Sequence, residues 1–245
     1  MLSTALTLPI LSKLVPGGFG YGMNLLVEFD PKSIWYETSL TIAAHALRDG
    51  IRTDYHTFQH YPTEVLEYLA KLGLNVENLQ EDGTLSIIDS YTTQMGLGKP
   101  KIPTGRVHYQ TQSVKLLDWS IAVSQEMKTG HPESEKRRLH IDDNTSVLLQ
   151  YNEEKLFIDF WRTRSIPMAR GRQLAFLHSL VTGVYSDAFC RQFESIADGI
   201  IELRSEEKSS GVEHFIRVRA VRGKNYDSRW HKLQLLDSGE VTLFE

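Results

Sequence analysis

The alternation of short apolar runs with amphipathic helical segments constrains the fold of this chain more than any other feature. Residues 23–29, 85–89 and 174–180 are mainly apolar runs of strand length. Between such runs, apolar residues recur at helical spacing, as over 36–47, and Gly50 then stands where a helix stop belongs. Strands separated by helices predict a mostly parallel sheet with helices on both faces.

The remaining segments extend the same pattern. Further strands are predicted over 51–58, 139–141 and 200–203, and further helices over 62–72, 116–127, 157–170 and 186–196. After a polar turn at 205–211, the chain closes with three β-like runs, 215–221, 230–236 and 241–244. Because no helices separate these runs, they predict an antiparallel meander at one edge of the sheet. The Gly- and Pro-rich stretch 96–112 is predicted to be a loop. Residues 1–245 show no repeat or linker, so we expect one α/β domain.

Composition constrains the binding partners and the cellular compartment that we expect for the protein. The net charge of -4 gives no global attraction to nucleic acid or anionic lipid. Cys190 is the single cysteine, so an intramolecular disulfide is impossible and a reducing compartment is expected. The apolar stretch 1–14 contains Pro9, lacks a basic start and is too short to span a membrane. We therefore expect a cytoplasmic protein without a membrane segment.

Three stretches resemble the KaiC-like branch of the RecA-type ATPases. Residues 16–28 are similar to that family's glycine-rich approach to its first strand, 138–149 to its metal-linked strand end, and 196–204 to its closing strand. These stretches follow one another in the family's order and spacing, and the resemblance spans nearly the whole chain. The resemblance implies a RecA-like fold with an ATP site.

The resemblance also implies a phosphate loop, Gly-x-x-x-x-Gly-Lys-Ser/Thr, directly after the first strand. The positions counted without a gap are Phe29, Asp30, Pro31, Lys32, Ser33, Ile34, Trp35 and Tyr36. Phe and Ile replace the glycines that let backbone N–H groups close around phosphate, and Trp replaces the lysine. Acidic side chains at Asp30 and Glu37 would repel a triphosphate. We therefore predict a degenerate phosphate loop.

Other positions that the family uses are altered as well. Gln59 and His60 stand where the family has the glutamates that activate water; His60 is a possible general base, although both are more simply surface loop residues. Asp142 or Asp143 is the equivalent of the Walker B acid, which would hold Mg²⁺ if ATP binds, or would instead cap the segment that follows. In the family's Lys-x-Arg-Gly-x-x-His pattern, which reaches a neighbouring subunit's nucleotide, Arg222 is kept while the lysine and histidine are lost.

Basic and aromatic residues cluster near the C-terminus. The candidates for contact with single-stranded nucleic acid are Arg217, Arg219, Lys224, Arg229 and Trp230. Nearby acids weaken this interpretation, and an edge strand protected by charge, or a protein interface, explains the same pattern. Asp54, His56 and His60 do not lie at zinc-site spacing along one helix, so no metal site is predicted apart from Mg²⁺ on Asp143 if ATP binds.

Taken together, the sequence favours a non-hydrolysing pseudo-ATPase that acts as a regulatory or scaffold protein. We expect a protein partner, no cofactor, and a monomer or small oligomer. The first alternative is an ATP-binding or ATP-hydrolysing enzyme with a remodelled loop, in which Lys32 and Ser33 contact phosphate, Asp143 holds the metal, and His60 or Gln59 places the water. The second alternative is an accessory protein for single-stranded nucleic acid.

Overall fold

A ten-stranded sheet organises the computed structural model, which describes residues 5–94, 107–109, 115–117, 121, 138–209 and 211–244. The strands are β1 (Ala5–Leu6), β2 (Phe19–Gly20), β3 (Asn24–Phe29), β4 (Arg52–Thr57), β5 (Leu85–Asp89), β6 (Val107–Tyr109), β7 (Arg138–Asp142), β8 (Leu174–Val181), β9 (Gly199–Lys208), β10 (Gly211–Val221), β11 (His231–Leu235) and β12 (Val241–Leu243). The strands β1 and β2 form a separate antiparallel pair.

Helices occupy the connections between the parallel strands, and one further helix lies between β1 and β2. They are α1 (Pro9–Leu14), α2 (Trp35–Arg48), α3 (Pro62–Lys71), α4 (Val76–Glu81), α5 (Tyr91–Gln94), α6 (Ser146–Leu149), α7 (Glu154–Phe160), α8 (Ile166–Arg172) and α9 (Asp187–Ile196), with a π-helical segment, Trp161–Ser165, between α7 and α8. Local chemistry explains their ends: Pro62 opens α3, the side chain of Glu64 accepts a hydrogen bond from the Tyr61 N–H (2.8 Å), and Gly73 follows α3 at a φ of 86°. None of the helices in the described part of the chain has the length and apolarity that crossing a membrane demands.

The strand order is β12-β11-β10-β9-β3-β8-β7-β4-β5-β6. From β9 to β6 every neighbouring pair is parallel, whereas β9, β10, β11 and β12 pair antiparallel. This confirms both the mostly parallel sheet and the antiparallel meander at one edge. Two details of the prediction were wrong. The β9 strand continues through Lys208 because β10 pairs with its whole length, so 205–208 is strand rather than turn, and residues 107–109 of the predicted loop form β6.

Side-chain alternation along the strands divides the core into two layers. Leu25 and Val27 of β3 pack with α2 and α3, whereas Leu26 packs with the α7–α9 side. The second layer contains stacked aromatic rings, with Phe157 and Trp161 centred 4.3 Å apart. Most of the predicted loop 96–112 and of the predicted helix 116–127 lies outside the described residues. The carboxyl ends of β3, β4 and β7 meet at one edge of the sheet, where open α/β folds bind ligands.

Candidate functional site

The turn that joins β3 to α2 occupies the position expected for a phosphate loop, and Asp30 organises it. Its carboxylate accepts hydrogen bonds from the Lys32 N–H (2.7 Å) and from the N–H (2.8 Å) and Oγ (3.0 Å) of Ser205 on β9. The Ser33 N–H donates to the Asp30 carbonyl (2.9 Å). Partial burial opposes ionisation, but the backbone donors of Ser205 and Lys32 hold the pKa of Asp30 below its ordinary value. Asp30 is therefore a carboxylate at neutral pH.

Three large side chains in and beside the turn are buried. Phe29, Ile34 and Trp35 are each 8 % exposed or less, and the rings of Phe29 and Trp35 stack with centroids 6.2 Å apart. The indole Nε1 of Trp35 donates to the carbonyl oxygen of Asp143 (2.8 Å), which ties the start of α2 to the end of β7. Lys32 points outward, where its ammonium donates to Glu207 (2.5 Å) and is well exposed.

Asp143 lies just after β7, and its carboxylate is enclosed by the loop that follows β4. It accepts from the Phe58 N–H (2.8 Å), the Thr57 Oγ (3.1 Å) and, at longer range, the Gln59 N–H (3.4 Å). The Nδ1 atom of His60 lies 3.2 Å from the same carboxylate. Both carboxylate oxygens of Asp143 thus already have partners within the chain.

The ring of His60 is held on two sides. It stacks on Tyr36, with ring centroids 3.7 Å apart, and its Nδ1 faces Asp143, while 29 % of its side chain remains exposed. A carboxylate beside one ring nitrogen orients an imidazole so that its other nitrogen can act as a base. The structure therefore brings Tyr36, His60 and Asp143 together, whereas Gln59 contributes its backbone N–H.

Asp142 faces the opposite side of β7 and is fully buried among histidines. Its oxygens lie 3.0 Å from His140 Nε2, 3.3 Å from His56 Nδ1 and 2.6 Å from His178 Nδ1. Burial alone would raise the pKa of Asp142, but the charge and hydrogen bond of His140 together with the hydrogen bonds of His178 and His56 hold it well below the usual range. Asp142 is consequently directed away from the β3–α2 turn.

The basic residues of the C-terminal meander are matched by acids. Arg217 pairs with Glu202, and Arg219 contacts both Glu202 (2.9 Å) and Glu194 (2.6 Å). The guanidinium groups of Arg217 and Arg204 both lie over the indole of Trp230, 4.5 and 4.2 Å from the ring centroid.

The other three basic candidates have their own partners. Arg222 contacts Asp198 (3.1 Å), Arg229 contacts Asp227 (2.6 Å), and Lys224 donates to the Gly17 carbonyl (3.2 Å).

Sequence reasoning missed His140 and His178 as partners of Asp142. A signal was present: charged and polar residues alternate with apolar ones along 138–142, and every residue of this strand is buried, as expected where helices cover both faces of a parallel sheet. The trio of Asp54, His56 and His60, which the sequence did not favour as a metal site, is not brought together, because His56 faces Asp142 and His60 faces Asp143.

Comparison with known proteins agrees with this architecture. A curated relative, a UPF0273 protein from Thermotoga maritima, is 23% identical over 229 residues, which cover 93% of this chain and 85% of the relative. A KaiC-like protein from Pyrococcus horikoshii has the same fold at a TM-score of 0.72, with 14% identity and 99% of both chains covered. An uncharacterised protein from the same archaeon, solved in complex with an unknown peptide, gives a TM-score of 0.71 at 14% identity and 94% coverage of both chains.

The family itself is shown by a match to most of the sequence. The family model described as "ATPase: KaiC" matches residues 39–245, a range that begins within α2, just after the β3–α2 turn. The match includes every strand of the ten-stranded sheet except β3. The chain belongs to the KaiC family of ATPases.

Proposed function

We propose that this protein is a non-hydrolysing member of the KaiC family that acts by binding another protein. The observation that carries the proposal is the Asp30 carboxylate, which accepts a hydrogen bond from the Lys32 N–H of the turn where the family binds phosphate, and another from the Ser205 N–H on β9. An ATP phosphate needs the backbone N–H groups of that turn for itself. In this chain the Lys32 N–H already holds the protein's own anion.

The charges around the turn support the same conclusion. A phosphate seated against the amides of Lys32 and Ser33 would lie within a few ångströms of ionised Asp30. At that separation, like charges repel by about 1–4 kcal/mol, depending on the local dielectric constant. The ammonium of Lys32 is directed toward Glu207, so it does not offset this repulsion in the arrangement described.

The Mg²⁺ that accompanies ATP also fits poorly. The Asp143 carboxylate already accepts hydrogen bonds from Thr57 and Phe58, so the water shell of a hydrated cation would compete with these donors for its oxygens. Asp142 is turned toward three buried imidazoles on the opposite face of β7. These contacts argue against a catalytic Mg²⁺ at either aspartate.

A protein of the same fold supports a role in protein binding. One structural neighbour, from Pyrococcus horikoshii, was solved in complex with a peptide.

We further propose that this chain works in the cytoplasm as a monomer or small oligomer, since ring closure in the family is linked to nucleotide. Light scattering measures the assembly directly, and a stable hexamer without nucleotide would contradict this part of the proposal.

A second candidate, an ATP hydrolase with a remodelled loop, is favoured by one contact. The Asp143 carboxylate lies 3.2 Å from His60 Nδ1, and the ring is partly exposed. That pair is suited to deprotonate a water molecule. Under this candidate, Lys32 and Ser33 contact phosphate after the turn has rearranged.

Calorimetry with Mg-ATP separates the two candidates. We expect no binding at millimolar nucleotide and no phosphate release above the buffer rate. Micromolar binding that weakens in Asp143→Asn would overturn the pseudo-ATPase proposal. Phosphate release that is lost in His60→Ala but kept in His45→Ala, a histidine on the far end of α2, would establish the hydrolase.

The nucleic-acid alternative has less support, because acids accompany the basic side chains. Glu202 contacts both Arg217 and Arg219, which leaves little net charge to release counterions from a strand. Fluorescence anisotropy with a labelled oligothymidine tests it. Tight, salt-dependent binding that falls in an Arg217→Ala, Arg219→Ala double variant would restore this alternative.

A further inference from the structure

Buried polar side chains from β4 and β7 converge on one point of the sheet, away from the β3–α2 turn. His56 and Asp142 are direct neighbours in the parallel register, and His140 precedes Asp142 by two residues on the same face of β7. All three are 0 % exposed, and their ligand atoms lie within 4.8 Å of one another. We propose that His56, His140 and Asp142 form a binding site for a divalent transition metal ion of the zinc type.

The separations between these atoms suit a small tetrahedral ion. Asp142 Oδ1 is 3.0 Å from His140 Nε2 and 3.3 Å from His56 Nδ1. Zinc bonds to imidazole nitrogen and carboxylate oxygen are about 2.0–2.2 Å long, so tetrahedral ligand atoms stand roughly 3.3–3.5 Å apart. The Asp142 oxygen is within a few tenths of an ångström of that spacing from both imidazole nitrogens, and the two nitrogens lie within 4.8 Å of each other. One coordination position is left for water.

The atoms of His56 and Asp142 that would not face the ion have polar partners of the kind that orient metal ligands. The other ring nitrogen of His56 lies 2.7 Å from the Oγ of buried Ser90, which orients the imidazole. The second oxygen of Asp142 lies 2.6 Å from His178 Nδ1, so Oδ1 is turned toward the two ligand histidines. Such outer partners fix the orientation of metal ligands and their replacement weakens metal affinity.

A further acid supports the third ligand. His140 Nδ1 lies 3.9 Å from Asp54 Oδ2, and Asp54 is paired with buried Arg138 at 2.9 Å. A carboxylate behind a ligating imidazole is a common arrangement around zinc. Aromatic rings close the site: Phe58 stacks on His56 at 4.2 Å, and Phe176 meets His140 edge-on at 4.9 Å.

The donor set indicates which ion the site takes. Two imidazole nitrogens and one carboxylate oxygen favour Zn²⁺, or Co²⁺ and Ni²⁺ in its place, over Mg²⁺ or Ca²⁺, which prefer oxygen ligands alone. Full burial makes the site a structural clamp between β4 and β7 rather than a place of turnover. Because such a site does not exist in the unfolded chain, metal binding adds to the stability of the fold.

The test uses the full chain without an affinity tag, refolded from urea in chelator and then in ZnCl₂ or CoCl₂. We expect one equivalent of zinc per chain by mass spectrometry after gel filtration, and the visible d–d absorption of tetrahedral Co²⁺. With metal about a hundredfold above its Kd, the Tm should rise by roughly 5–10 °C.

Variants locate the ion. His56→Gln and His140→Gln should lose the zinc, His178→Gln should bind it about 10–100-fold more weakly, and His231→Gln on β11 should retain it. Full zinc content in His56→Gln or His140→Gln would overturn the assignment. If those variants do not fold, the wild-type chain decides: no Co²⁺ band and no Tm change with zinc would overturn it equally. Mg-ATP plays no part in these measurements, so they stand apart from the proposed function.

Discussion

Replacing Glu28 by Gln tests how a buried charge next to the β3–α2 turn affects stability. Glu28 is 6 % exposed, and its carboxylate lies 3.4 Å from the Arg219 guanidinium. Burial raises the pKa of Glu28 from 4.5 to about 7; Arg219 opposes this, whereas Glu194 and Glu202 add to it. The folded protein therefore prefers Glu28 in its protonated form.

The sign and size of the effect follow from this shift. Because the pKa of Glu28 is higher in the folded state, its contribution to stability is complete below pH 4.5 and is lost as the pH rises through about 7. Each pKa unit corresponds to about 1.4 kcal/mol, so the loss between pH 4.5 and 8 reaches at most about 3 kcal/mol. Gln has the shape of the protonated acid and does not ionise, so Glu28→Gln should avoid the loss.

Urea unfolding followed by circular dichroism at pH 5, 6, 7 and 8 measures the difference. We expect the two proteins to have similar free energies of unfolding at pH 5, and the variant to be more stable by up to about 3 kcal/mol at pH 8. Glu207→Gln is the matched control: the pKa of this exposed acid is lowered by Lys32, so its effect should not grow over this range. A Glu28→Gln difference that stays constant with pH, or that favours the wild type more at pH 8, would refute the reasoning.

Three further substitutions test packing and backbone geometry by the same unfolding assay. Gly18→Ala should lower the free energy of unfolding more than Gly50→Ala. Both glycines have positive φ, which alone destabilises an alanine by about 1–2 kcal/mol. Of these two positions, only at Gly18 would an added Cβ meet a carbonyl oxygen of β1, at 2.6 Å. Equal costs would contradict this. Phe157→Ala should lose about 3–5 kcal/mol because the ring is fully buried, whereas Leu156→Ala, 55 % exposed, should change little; similar losses would show that the core is misplaced. Ser186→Ala should cost about 1 kcal/mol because the Ser186 hydroxyl caps α9, and no change would argue against the cap.

Much of the architecture was predictable because secondary structure and side-chain facing are local properties. The run 85–89 is β5, the proline and glycine around 62–73 bound α3, and helix-free closing runs became the meander. The same locality explains the errors. Pairing with β10 extends β9 through 205–208, and no periodicity within that polar segment reports a partner strand. Whether a polar stretch is strand or turn was decided by its neighbour.

The candidate sites likewise include features that the sequence showed and features that only the tertiary structure decided. From the sequence alone we could place Asp30 after β3 and see that Phe29, Ile34 and Trp35 replace the two glycines and the lysine of the phosphate-loop motif. Only the tertiary structure decided that Asp143 is enclosed by the loop after β4, and that Asp142 faces His56 and His178. Those contacts depend on strand order, which brings β4, β7 and β8 side by side although they are far apart along the chain. The period of two along a strand determines which face a side chain takes, but not which strand lies next to it.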